Sequence, residues 1–159
     1  MKIDQQESEA FTVIGLTLRT NNAKEMSGAG GIAALWQRVS EEKIADKVLD
    51  KVNHNFYAVY HAYESDMNGE YSLTIGVPVK AGASVPEGLS VVHIPQQKYL
   101  KIETDQGQMP DIVIKAWQYI WDKSSQSEIN RSYTADFEVY DHRCANPLSS
   151  QVDLFIAVK

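Results

Sequence analysis

The sequence holds one cysteine, Cys144, in 159 residues, which excludes an internal disulfide and any metal site built from several thiolates. No apolar run approaches the roughly 18–20 residues that cross a bilayer, so no membrane association is expected. Lys and Arg number 15 against 21 Asp and Glu, for a net charge of −6, and they never form a run of four. Nucleic-acid binding rests on a basic face, and none is legible. The acidic balance instead favours cationic small molecules, although solubility explains it equally well. The four histidines, His54, His61, His93 and His142, are scattered with no H-x-x-x-H pair, so no metal is expected. The glycine-rich SGAGG at Ser27–Gly31 fits neither G-x-G-x-x-G nor G-x-x-x-x-G-K-[ST] and reads as a loop, not a phosphate cradle; no cofactor is expected. The opening MKIDQQESEAF carries no apolar signal region, and the expectation is a cytoplasmic protein. Cys144 lies in the polar stretch HRCANPLSS without an evident base and reads as an inert or surface thiol.

What the chain does have is a repeat. Ile32, Leu35, Trp36 and Val39 fall at i, i+3, i+4 and i+7, and Val113, Ala116, Trp117 and Ile120 repeat the pattern 81 positions on. Such a stripe is one face of an amphipathic helix. Tyr71, Leu73, Ile75 and Val77 match Val152, Leu154, Ile156 and Val158 at the same offset, and the preceding strands align best at 77, which sets Tyr63 on Tyr140 and His61 on Glu138. Internal repetition constrains the fold before anything else does.

The elements follow from periodicity and punctuation. Phe11–Arg19, Asn55–Tyr63, Tyr71–Lys80, Leu89–Glu103, Ser132–Asp141 and Val152–Lys159 read as strands, the fourth interrupted at Pro95. Helices are expected over Ile32–Glu42, with a short turn or loop at Ile44–Val52, and from Pro110 to about Lys123. Asn68-Gly69 marks a hairpin, because both residues tolerate positive φ. The expected architecture is therefore α+β: two tandem β-α-β-β units, about 11–80 and 89–159, in a single domain of mostly antiparallel sheet with two main helices. Neither unit buries enough surface alone, and the seam between them is where a ligand pocket is expected.

The sharpest local signal is YTADFEVY, Tyr133–Tyr140. Alternation in a strand puts Asp136, Glu138 and Tyr140 on one face and Tyr133, Ala135, Phe137 and Val139 on the other. Two explanations are open: an acidic face turned to solvent, or an acid at the floor of an aromatic pocket. The second finds its aromatics in Trp36, Trp117, Trp121, Tyr60, Tyr63, Tyr71, Tyr99 and Tyr140. A carboxylate in apolar surroundings costs several kcal/mol unless paired, so a cation that neutralises it regains much of that cost.

IAALW, YAVYHAYESDMNGEYSLTIGVPV, IPQQKYLKIE, AWQYIW and DFEVY followed by VDLFIAV, in this order, resemble the gyrase-inhibitor-like small-molecule-binding domain in its stand-alone form. The same domain is the effector-binding part of AraC-type and multidrug-responsive transcription regulators. The resemblance covers nearly the whole chain. It implies two units related by a pseudo-twofold, a pocket near their junction, and Glu138 facing the positive charge of lipophilic cationic ligands. Trp36, Tyr63, Tyr71, Trp117 and Tyr140 are the aromatics it implies around that acid, with Tyr99 added; His61, through its alignment with Glu138, is a candidate for the opposite wall or else an ordinary half-buried histidine. The regulators' helix-turn-helix has no counterpart here, so direct DNA binding is not expected.

Two rival classes stand beside the non-enzymatic binder. Some proteins of similar scaffold hydrolyse electrophilic natural products, and Glu138 would then be a general base with Tyr71 or Tyr140 as polarising donor. The gyrase-inhibitor resemblance also admits an interaction module with a protein partner, or a homodimer.

Overall fold

The strand-like runs pair into one antiparallel sheet in the computed structural model, which describes all residues from Met1 to Lys159. The strands are β1 (Lys2–Ser8), β2 (Phe11–Thr20), β3 (Phe56–His61), β4 (Tyr71–Val79), β5 (Ser90–Ile94), β6 (Gln97–Glu103), β7 (Ala135–Tyr140) and β8 (Asp153–Ala157), in the order β1-β6-β8-β7-β3-β4-β2-β5. The helices are α1 (Asn22–Met26), α2 (Ile32–Glu41), α3 (Ile44–Lys47) and α4 (Asp111–Ser125). The expected α+β class and both main helices are present. Short α1 and strand β1 are additions to the sequence reading, and the expected strand 89–103 is two strands that part at Pro95 and Gln96.

That parting explains the shape. Ser8 pairs with Gln97 on one side of the break and Phe11 with Ile94 on the other, so β1–β2 and β5–β6 are two long bent strands in one register. Their ladder supplies both ends of the strand order, and the sheet bends round on itself. Gly15 and Gly76 oppose each other between β2 and β4, where a side chain on either would run into the other strand's backbone. One face of the sheet is filled by Val13, Val59, Ile94, Tyr99, Phe137 and their neighbours, without any helix. The other carries α2 against Leu16, Leu73 and Ile75, and α4 against Ile102, Leu154 and Ile156. Val113, Ala116, Trp117 and Ile120 are all buried, each larger apolar side chain contributing about 1.5–3 kcal/mol.

Strand register fixes the repeat. Gly15 pairs with Ser90 and Tyr99 with Gln6, so β1 is to β6 what β5 is to β2, and each unit gains a strand over the expected β-α-β-β. Leu73 pairs with Tyr60, and its counterpart Leu154 pairs with Glu138. The counterpart of Glu138 is therefore Tyr60, 78 positions away, and not His61. A slip of one residue moves a side chain to the opposite face of a strand, and His61 accordingly faces away from the helices. The hairpin after β3 also differs from expectation. Neither Asn68 nor Gly69 has positive φ; the loop 62–70 turns instead at Ala62 (φ 51°) and at Asp66, whose Oδ1 accepts the Asn68 N–H at 2.9 Å.

Candidate functional site

β3 and β7 pair at the middle of the sheet, beneath the gap between α2 and α4. A cavity of about 700 Å³ fills this seam. α2 contributes Ile32 and Trp36; α4 contributes Val113, Trp117 and Trp121; the sheet contributes Phe56, Tyr60, Tyr71, Glu138 and Tyr140. The wall is aromatic and tightly interleaved: the Trp36 and Tyr140 rings lie 4.7 Å apart, Tyr60 and Trp117 5.0 Å, Tyr60 and Tyr71 5.4 Å. Offset and edge contacts of this kind hold aromatic faces in place.

Glu138 sits at the floor, 2% exposed. The Trp117 indole N–H donates to Oε2 at 2.6 Å, the Tyr60 hydroxyl to Oε2 at 3.1 Å, and the Tyr140 hydroxyl to Oε1 at 2.7 Å. All three donors are neutral. Burial pushes the Glu138 carboxyl above its ordinary range; the three hydrogen bonds favour the charged form and offset part of that rise. Burial and the adjacent carboxylate drive the Tyr60 and Tyr140 hydroxyls well above 10, so both stay protonated as donors.

Asp136, on the same face of β7 and fully buried, has a different environment. It pairs with Arg131 at 2.7 Å, takes the Ala157 N–H at 2.7 Å, and accepts from the Tyr63 hydroxyl. Arg131 is itself only 4% exposed and lines the cavity. Its guanidinium lies 4.4 Å from the Tyr133 ring centroid and 5.7 Å from those of Tyr63 and Trp117. Burial opposes its charge and Asp136 outweighs that, leaving its pKa raised.

The structure thus brings Trp36, Tyr63, Tyr71, Trp117, Glu138 and Tyr140 to one cavity. Tyr63 reaches it although it lies beyond the end of β3, after the positive φ of Ala62. Tyr99 does not. It packs edge-on against Phe137 and Phe155 on the face without helices and takes the Gln97 amide N–H at 2.7 Å. His61 is on that face too, hydrogen-bonded to the Thr74 hydroxyl at 2.8 Å, with burial lowering its pKa. The alternation of β6 and β3 puts both outside the site.

Several cavity residues escaped the sequence reading. Arg131 lies in the loop before β7, and nothing in NRSY marks it as buried. Glu25, at the end of α1, caps α2 by accepting the Gly31 and Ile32 N–H groups at 3.0 and 3.1 Å, which explains how SGAGG enters the helix without a side-chain cap of its own. Cys144 is a half-buried part of the wall rather than a surface thiol, and burial raises its pKa. No group of three His, Cys, Asp or Glu side chains is placed to hold a metal. No helix is long and apolar enough to cross a membrane.

Comparison with known proteins adds to this geometry. The sequence profile of the Cass2 family, the integron-associated effector binding proteins, matches residues 6–158. YobU of Bacillus subtilis (strain 168), which bears a transcriptional regulator's name, is 29% identical over 146 residues, 91% of this chain and 90% of that one. The integron cassette protein VCH_CASS2 from the mobile metagenome of Vibrio cholerae superposes with a TM-score of 0.75 at 27% identity, covering 99% of this chain and 95% of that one. SAV2435, solved bound to tetraphenylphosphonium, shares the fold with a TM-score of 0.76 at 20% identity, covering 100% and 94%.

Proposed function

We propose, from the premise that this chain belongs to the family of integron-associated effector-binding proteins and is a small-molecule-binding domain, that its ligands are lipophilic organic cations, bound without turnover and with Glu138 as their counter-charge. The observation that carries this reading is the Glu138 carboxylate, buried in an aromatic cavity and contacted by neutral donors alone. Hydrogen bonds to the anion offset part of its desolvation, and a net charge in low dielectric is left over. A cation entering the cavity pairs with it away from water, and each aromatic face within reach adds about 0.5–2 kcal/mol. A lipophilic cation suits both parts, because it sheds little hydration on entry. The fold-mate SAV2435 is known with such a molecule, tetraphenylphosphonium.

Hydrolysis fits the same residues less well. A general base needs a free lone pair directed at water, and three of the roughly four acceptor sites of the Glu138 carboxylate are already taken by side chains, which leaves one on Oε1.

The test is titration with tetraphenylphosphonium, followed by tryptophan fluorescence, for the wild type and Glu138→Gln. Saturable binding that the substitution weakens tenfold or more, about 1.4 kcal/mol, is the expected result. No binding by the wild type would sink the reading and direct attention to neutral electrophiles or a protein partner.

A further inference from the structure

Arg131 is a buried guanidinium that uses little of its capacity. It has five N–H donors, yet only Nη2 is engaged, to Asp136 at 2.7 Å and Tyr63 at 3.3 Å. Nε is buried without any partner, and Nη1 makes no hydrogen bond. A buried donor left unpaired costs about 1–3 kcal/mol, more on a charged group. Structures keep few such groups, and each calls for an account. Arg131 is also part of the cavity wall. Its charge is already balanced by Asp136, so a second anion would meet the Asp136 field. What the idle donors lack is a neutral acceptor.

We infer that Arg131 is a second polar anchor of the cavity, whose unengaged Nη1 donates to a carbonyl-type oxygen of the ligand and so selects cations that carry one. Trp117 sets the spacing. Its indole N–H contacts Glu138 at 2.6 Å while the Arg131 guanidinium lies over its ring, 5.7 Å from the centroid, so charge and acceptor are held at two different places on one indole, its N–H edge and its face. The guanidinium already occupies aromatic surface of Tyr63, Tyr133 and Trp117, so the ligand's cationic centre is directed to the Glu138 end. The cavity thereby reads orientation as well as charge. This inference rests on the cation-binding reading above and adds the class of cation.

The experiment compares tetraphenylphosphonium with derivatives carrying one carboxamide, meta or para on a single ring, and with isopropyl derivatives of the same shape. Binding is followed by tryptophan fluorescence in the wild type, Glu138→Gln and Arg131→Met/Asp136→Asn. The double variant removes the ion pair as a unit and keeps an amide oxygen for the Ala157 N–H. Arg131→Leu/Asp136→Asn, which also removes the ion pair as a unit, serves if the methionine variant does not fold. On the wild type, one carboxamide should bind at least tenfold tighter than its isopropyl control. That preference, taken as the ratio of the two affinities within each variant, should fall to within threefold in either Arg131 variant, whatever its absolute affinity for tetraphenylphosphonium. No carboxamide preference in the wild type, or one that survives loss of Arg131, overturns the inference. If tetraphenylphosphonium still binds in a Glu138-dependent way, the proposed function stands; if no probe binds the wild type, both fall.

Discussion

Asp136 and Glu138 are two acids on one face of one strand, two residues apart, and they do opposite things. Asp136 is closed: a buried arginine, a backbone N–H and a tyrosine hydroxyl take up its charge and lone pairs. Glu138 is solvated by the protein and left without a counter-ion. The contrast separates a structural ion pair from an acid whose charge nothing in the protein balances. It arises from what surrounds β7, the loop at Arg131 on one side and α4 with β3 on the other.

The contrast breaks most sharply at Asp136. Asp136→Ala strands the Arg131 charge in the interior and should cost about 3–5 kcal/mol, read as a fall in the urea midpoint; a loss under 1 kcal/mol would show that water reaches the pair. At Glu138 the effect is on binding and has the opposite sign for stability. Burial raises the folded carboxyl above its ordinary 4.5, so the folded chain holds the extra proton between the two values and wild-type stability falls as pH rises through that window. Thermal melts of Glu138→Gln should lack that decline. Tetraphenylphosphonium binding to the wild type should weaken as pH falls through the raised value, because the proton competes with the cation. A pH-independent affinity from 4 to 8 would argue against Glu138 as counter-charge.

Removing one donor is a finer change. Tyr140→Phe deletes the 2.7 Å bond to Oε1, worth about 1.5–3 kcal/mol to the ionised form, and should move the pH midpoint of cation binding upward. An unmoved midpoint would mean that water replaces the hydroxyl. The smallest effect belongs to the far face. Tyr99→Phe loses the bond from Gln97 and should cost about 1 kcal/mol of stability, yet change cation affinity less than twofold. A larger change in affinity would restore Tyr99 to the site.

The legibility of these features in the sequence follows their period. Asp136, Glu138 and Tyr140 share a face in the structure because β7 alternates regularly, and the helix stripes at Ile32 and Val113 stand out for the same reason. β1 escaped notice because KIDQQES alternates nothing; it is an edge strand, exposed along most of its length, and only the equivalence with β5 marks it. Aligning the repeat on Tyr63 and Tyr140 put His61 opposite Glu138, since the left-handed Ala62 that breaks the alternation has no signature in sequence. Arg131 was invisible for a different reason: an arginine in a loop is ordinarily solvated, and only tertiary packing shows it inside.

The hydrogen bond from Tyr60 to Glu138, at 3.1 Å, joins the two positions that the duplication makes equivalent. In a perfectly symmetric ancestor the pseudo-twofold would set a side chain against its own copy. Two carboxylates so placed would repel until one captured a proton, and the site would carry one charge shared between halves. Two tyrosines would carry none. A single fixed negative charge at the axis therefore requires the halves to differ, and tyrosine opposite glutamate achieves it with one donor and one acceptor. The loss of symmetry at this pair gives the molecule a charged side and a neutral side, and hence a direction for whatever enters.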